Sequence, residues 1–303
     1  MNVRGLFLSV FVYGAAVIGV RADVLTDAQS ALDVARIACS GLSDEISRVS
    51  GMAVAGVATN AVGAVAGAAA VGVGVEKAAD DKQQWEKTVN VSCDFQSVYE
   101  YDLNQGMELV GQMGDLYSER SKRLGNWRTG LMAGAGVTHI ASAVLGGINL
   151  NQTDLEQHVM ACNNAVNQLQ ILRKQMADEG ISPFANPIRG HVEIIIDRCA
   201  GINVADVEKI ERREKVVLGT SATGAAAAIA GAVTSASANS DKMRQAVDEA
   251  GKNKYNQLNT ASNALAGVSG VGSVVSTVFN ASLVKLTRQM IKRAQECEGA
   301  LQQ

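Results

Sequence analysis

Cysteine is the residue type with the clearest chemistry open to it in this chain, and there are five: Cys39, Cys93, Cys162, Cys199 and Cys297. In an oxidising compartment thiols pair and the bonds persist, so the question is which cysteines the fold brings together. The other reactive types offer less. His139, His158 and His191 are the only histidines, and their spacing suits no metal site. The sequence has no HExxH, no paired CxxC and no GxSxG nucleophile turn. Gly134-Ala135-Gly136 and Gly270-Val271-Gly272 echo a nucleotide-binding glycine pattern, but they lie in small-residue helical stretches and follow no strand. His158 shares a stripe with Cys162 and reads as a core or interface histidine. Asn90, Asn151 and Asn280 open glycosylation tripeptides, at about the frequency that chance supplies. The chain is therefore read as not an enzyme, with no catalytic, cofactor-binding or metal site and no evident small-molecule substrate.

The elements that would position the cysteines are long helices of an unusual kind. Residues 51–75, GMAVAGVATNAVGAVAGAAAVGVGV, carry no charge, and three later stretches share their character: 130–148, 219–238 and 264–279. Small residues recur at steps of four and three at Gly56, Asn60, Gly63, Gly67, Ala70 and Gly74. That spacing is a heptad-like seam on one helix face. It extends back through Leu32, Ala35, Cys39, Leu42, Ile46, Val49 and Ala53, giving one helix from Thr26 or Asp27 to about Ala79. Each glycine costs roughly 0.8–1 kcal/mol of helix propensity against alanine, a cost that close backbone packing offsets. A flexible Gly/Ala linker is the alternative; linkers lack a sustained register.

Further helices follow. A less regular region runs from Trp85 to Leu124, with Lys87–Cys93 open to an extended form, Asp80-Asp81-Lys82 as a break before it and Gly125-Asn126 as a turn after it. A third helix reads Trp127, Gly130, Gly134, Val137, Ala141, Val144, Ile148, Asn151, Leu155, His158, Cys162, Ala165, Leu169, Leu172 and Met176 along its stripe. Both prolines, Pro183 and Pro187, mark a boundary because proline is excluded from helix interiors. Beyond it, Cys199, an interruption at Gly201-Ile202-Asn203, small segments holding Gly224, Gly231 and Gly270, a turn near Lys252, and Cys297 look like a shorter second copy. The expected organisation is a signal peptide at 1–22, a first helical repeat at 23–180 with an insertion at about 80–126, a linker at 181–190 and a second repeat at 191–303.

This order suggests the pairing. In an antiparallel helix pair, residue numbers fall on one helix as they rise on the other. A Cys39–Cys162 bridge then sets Gly67 opposite Gly134 and Gly63 opposite Thr138. A Cys199–Cys297 bridge sets Gly224 opposite Gly272. Both bridges are expected, with five free thiols as the alternative and Cys93 left over.

Composition agrees with an all-α fold of long antiparallel hairpins: 47% apolar residues, only 4% aromatic, two prolines. The leader has Arg4, an apolar core from Leu6 to Val20, and small residues at Val20 and Ala22 before a cut at Asp23; it directs the chain to the periplasm or outside the cell. A net charge of −3 with mixed signs excludes nucleic acid as a partner. The reading is an exported, disulfide-stapled structural or interaction protein with a protein partner or self-association. The alternative is a membrane-inserting or pore-forming protein that uses the Gly/Ala segments, since about 20 apolar residues span a bilayer core.

Overall fold

The computed structural model describes residues 23–98, 119–150, 153–244 and 249–303; the expected leader at 1–22 lies outside them. Every described element is a helix. In order they are α1 (23–39), α2 (Leu42–Val98), α3 (Glu119–Leu150), α4 (Thr153–Asp178), α5 (Pro187–Cys199), α6 (Val204–Ala238), the single turn α7 (Asp241–Arg244) and α8 (Glu249–Leu301).

The ends of these helices have local causes. Gly41 takes φ +76°, a left-handed conformation that side chains resist, and separates α1 from α2. The single helix expected across this point is thus two. At the end of α4, Gly180 has φ +69°, Ile181 N–H donates to the Met176 carbonyl (2.9 Å) and Gly180 N–H to that of Ala177 (3.0 Å). This is a Schellman cap. Asn186 Oδ1 accepts from the amides of Ile188 and Arg189, with Pro187 in the first turn of α5. Asn203 Oδ1 accepts from Ala205 N and opens α6.

Two expected boundaries are corrected, and the open segment between them is decided. Asp80-Asp81-Lys82 does not break α2, because Lys77 holds Asp81 one turn on (2.8 Å). Residues 87–93 are helical. Gly125-Asn126 lies inside α3, where the Asn239 side chain donates to the Lys122 carbonyl and to Asn126 Oδ1.

The chain forms two compact units. The first takes residues up to Ala53, Ile148–Glu214 and Ser282–Gln303. Its interior is built of large apolar side chains: Leu32, Ile46, Val159, Leu169, Met176, Ile195, Leu283 and Met290 are all buried. Cys39–Cys162 and Cys199–Cys297 are bonded, each with Cα atoms 4.6 Å apart. The two bridges are neighbours, with the sulfurs of Cys39, Cys162 and Cys297 within 4.8 Å of one another. Closing loops of this length stabilises by about 4–5 kcal/mol each in the chain-entropy account. Polar ties complete the unit. Glu298 accepts from both the amide and the hydroxyl of Ser43, His158 Nδ1 lies 2.7 Å from Glu45 Oε2, and His191 Nε2 donates to the Ala300 carbonyl. Burial pushes the Glu214 carboxyl up to about 7 against the opposing hydrogen bond from Asn149.

The second unit takes Val54–Gly147 and Lys215–Ala281. Here α2 meets α3 and α8, and α6 meets α3 and α8, at glycines and short polar side chains. On α2, the Cβ position of Gly63 falls 2.7 Å from Thr138 Oγ1 of α3, and that of Gly67 falls 2.8 Å from the Cα of Gly270 on α8. A Cβ at Gly272 would stand 3.4 Å from the Cα of Gly224 on α6. Between α3 and α6, Thr129 Oγ1 donates to Ser235 Oγ (3.1 Å).

The glycines therefore divide into two kinds, with opposite consequences. At Gly67 a methyl group meets backbone that cannot rotate away, so Gly67→Ala is expected to destabilise by about 1–3 kcal/mol. A Cβ at Gly72 meets nothing within 4 Å, and Gly72→Ala is expected to stabilise by up to about 1 kcal/mol through helix propensity. Thermal unfolding followed by circular dichroism gives both signs; equal signs would contradict the close approach.

Candidate functional site

The interior of the second unit is the candidate site, because its chemistry is the reverse of a water-soluble core. The face of α2 that turns inward carries Gly56, Asn60, Gly63, Gly67, Ala70, Gly74 and Lys77. From α8 come Tyr255, Asn259, Ser262, Ala266, Ser269, Ser273, Ser276 and Asn280, all buried. Apart from Lys77 and Tyr255, these residues are too small to fill a core by bulk, and hydrogen bonds tie several of them together.

The layers can be followed along the bundle. In one, Asn60 Nδ2 donates to Ser142 Oγ (2.7 Å), Ser221 Oγ donates to Ser142 Oγ (3.1 Å), and Ser221 lies 3.2 Å from Ser276 Oγ. In the next, His139 is fully buried, its ring occupying the space left by Gly224. Its Nε2 is 3.0 Å from the Ser269 carbonyl, an acceptor only, so Nε2 carries the proton; Ser273 Oγ is 2.9 Å away. The Nδ1 lone pair is left buried without a partner. Ala70, Met132 and Ala266 make an apolar layer beyond it.

Past that layer sits a charged cluster. Lys77, with a side chain only 2% exposed, pairs with Asp81 and contacts the Tyr255 hydroxyl, which itself donates to Asp81 Oδ2 (2.7 Å). The fully buried Arg128 donates to the Asn259 carbonyl (2.9 Å) and side chain (3.3 Å).

The outside of this unit is apolar. Val62, Val65, Val75, Trp127, Val137, Val144, Val233, Val271 and Val278 each expose about half or more of their surface. Residues 54–75, 129–148, 216–237 and 261–281 contain no Asp, Glu, Lys or Arg. These stretches are also in step. At one end Gly56 faces Asn280 and Gly146 faces Leu218; at the other Gly74 faces Asn263 and Arg128. Helices of about 20 residues at 1.5 Å per residue make a charge-free belt of roughly 30 Å. Four helices of the chain are long and apolar enough to cross a membrane.

Of the seam glycines expected from sequence, Gly56, Gly63, Gly67, Gly74, Gly224 and Gly231 are buried against a neighbouring helix, and Gly270 receives Gly67. Gly130 and Gly134 are corrected. They are exposed, a Cβ there would meet nothing within 4 Å, and Gly67 faces Gly270 instead. The stripe read on α3 through Trp127, Val137, Val144 and Ile148 is its outward face; the inward one runs through Gly125, Arg128, Met132, His139, Ser142 and Gly146. The larger apolar residues marked the wrong side because in this unit they point out. Asn280, a candidate glycan acceptor, is buried. Asn151 lies outside the described residues, as does the side chain of Cys93.

Sequence reasoning missed the Lys77–Asp81–Tyr255 cluster and Arg128. The signal available was the helical spacing that puts Lys77 on the same stripe as Ala70 and Gly74. The chain matches no protein-family model, no curated protein and no solved structure.

Breaking a buried ion pair leaves an uncompensated charge, at a cost of roughly 3–5 kcal/mol. Lys77→Ala is expected to destabilise by that order. Lys82→Ala, at an exposed pair with Glu86, is expected to change stability by less than about 1 kcal/mol. Melting temperatures of the two variants compare them directly.

Proposed function

We propose that the protein is a disulfide-stapled membrane protein of non-catalytic, structural or interaction character, whose charge-free belt crosses the bilayer as four helices. One observation carries this: over the same roughly 30 Å on four helices, polar side chains face inward and valines face outward. Water would favour the opposite. An apolar surface of this extent marks contact with a membrane or a partner protein. Lipid offers no hydrophobic force between helices, so association there relies on small residues, close backbones and interhelical hydrogen bonds, the three features of this interior.

The cysteines support the same reading. A chain that crosses four times returns to its starting side after the second and fourth crossings. Residues 23–53, 149–215 and 282–303 then share one compartment, and 76–128 and 238–260 share the other. All four bonded cysteines fall in the first set, the side that must be oxidising. Export of the N-terminal segment by the leader would place it there. Cys93 falls on the opposite side, which explains why it is left over. The recurrence of cysteine and small-residue helix in each half is read as an internal duplication. On the competing reading the belt is covered by further copies of the chain in a soluble assembly.

Carbonate washing of membranes from expressing cells tests the choice. The protein is expected in the pellet and in solution only with detergent; quantitative release by carbonate would sink the membrane reading. On intact cells, a membrane-impermeant maleimide is expected to leave Cys93 unlabelled until the cells are lysed. Labelling before lysis would overturn the four-crossing order.

A further inference from the structure

The second unit holds a cavity of about 330 Å³ between α2 and α8, at the end of the belt marked by Gly74 and Asn263. This is near the lower limit of small-ligand sites, roughly 300–1,000 Å³: room for a headgroup, and too little for acyl chains. Its walls mix apolar surface from Ala78, Trp85 and Tyr255 with polar and charged side chains. Asn256, Asn259 and Asn263 line it from α8, with Lys252 further along, and Lys82 and Trp85 face them from α2. The Lys252 ammonium stands 3.4 Å over the Trp85 ring, a cation–π contact that fixes a positive charge at the cavity wall. Asp81 also borders the space, but Lys77 and the Tyr255 hydroxyl already engage it. Lys82 has only a loose 3.9 Å pair with Glu86. The balance inside the cavity is therefore positive, and the side-chain amides of Asn256 and Asn259 stand beside the two lysines, while Asn263 Oδ1 is turned onto Gly74 at the floor.

Resting on the membrane reading, we propose that this cavity binds the headgroup of an anionic phospholipid. The phosphate is held by Lys252 and Lys82, the headgroup hydroxyls by the asparagine amides, and the acyl chains lie on the valine-rich belt. Location favours a lipid over a soluble phosphate ester. The cavity begins where the charge-free stretches of α2 and α8 end, at the level of lipid phosphates, and tryptophan is enriched at that interface. In the four-crossing order proposed above, its residues belong to the compartment that the bonded cysteines do not share; basic pockets between transmembrane helices on the cytoplasmic side are sites for anionic headgroups.

The test uses the full chain purified in mild detergent and native mass spectrometry with added phosphatidylglycerol, phosphatidylcholine or glycerol 3-phosphate. Phosphatidylglycerol is expected to be retained at least tenfold more than phosphatidylcholine. Lys252→Glu should remove that preference while the melting temperature stays unchanged, and Trp85→Phe, which keeps a ring under Lys252, should preserve most of it. Equal retention of the two lipids, or a preference that survives Lys252→Glu, overturns the proposal. Glycerol 3-phosphate competing as well as the lipid would assign the cavity to a soluble phosphate ester and overturn it too. Release of the protein by carbonate is a separate failure, of the membrane reading itself; absence of lipid preference in a protein that stays in the pellet is a failure of the headgroup site alone.

Discussion

The backbones of α2 and α8 approach so closely that a methyl group at Gly67 would run into the backbone of Gly270. Much of the second unit follows from that constraint. Helices this close leave an interior made largely of glycine, alanine, serine and asparagine, with His139 set against Gly224, Met132 against Gly231, and the larger Lys77, Arg128 and Tyr255 only at one end. Such side chains bury little apolar surface. Cohesion must then come from dispersion between backbones and from hydrogen bonds such as Asn60–Ser142 and Ser221–Ser142. The valines that a soluble bundle would place inside have nowhere to go but out. An inverted bundle of this kind is stable only where its outer surface is not facing water, and in the proposed reading lipid supplies that surroundings.

The first unit solves the packing problem by other means. Leucine, isoleucine, valine and methionine fill it, as burial of roughly 25 cal/mol per Å² rewards in water, and two adjacent disulfides limit its unfolded ensemble. One chain thus contains two kinds of interior; in the proposed reading each is matched to a different solvent. Their division along the sequence, in three stretches for one unit and two for the other, is what a chain crossing a bilayer four times would produce. Composition averaged over the whole chain hides this, because bulky and small segments cancel to an unremarkable mean.

Charged residues inside the second unit are confined to the end of its belt. Lys77 and Arg128 are buried there, yet each has specific partners: Asp81 and Tyr255 for one, Asn259 for the other. These contacts also explain why α2 does not stop at Asp80. A lysine one turn before and a tyrosine from another helix hold Asp81 in place. Local propensity for a break is outweighed by tertiary contacts.

Sequence alone determined that the chain is helical, where the small-residue face of α2 lies, and which cysteines pair. Each rests on repetition: the three–four step defines a face on any helix, and one antiparallel register serves both bridges. The sequence also determined that four long stretches carry no charge. It did not determine which face of α3 is the inner one, since periodicity identifies a stripe without saying whether solvent or a neighbour lies against it. A rule that apolar residues go inside assumes water outside, and it selected Gly130 and Gly134 when the buried line runs through Arg128, Met132 and His139. Only the tertiary structure decided that α2 packs on α8 at Gly67 and that Lys77 meets Tyr255, because contacts between residues nearly two hundred positions apart depend on how four helices are arranged around one another.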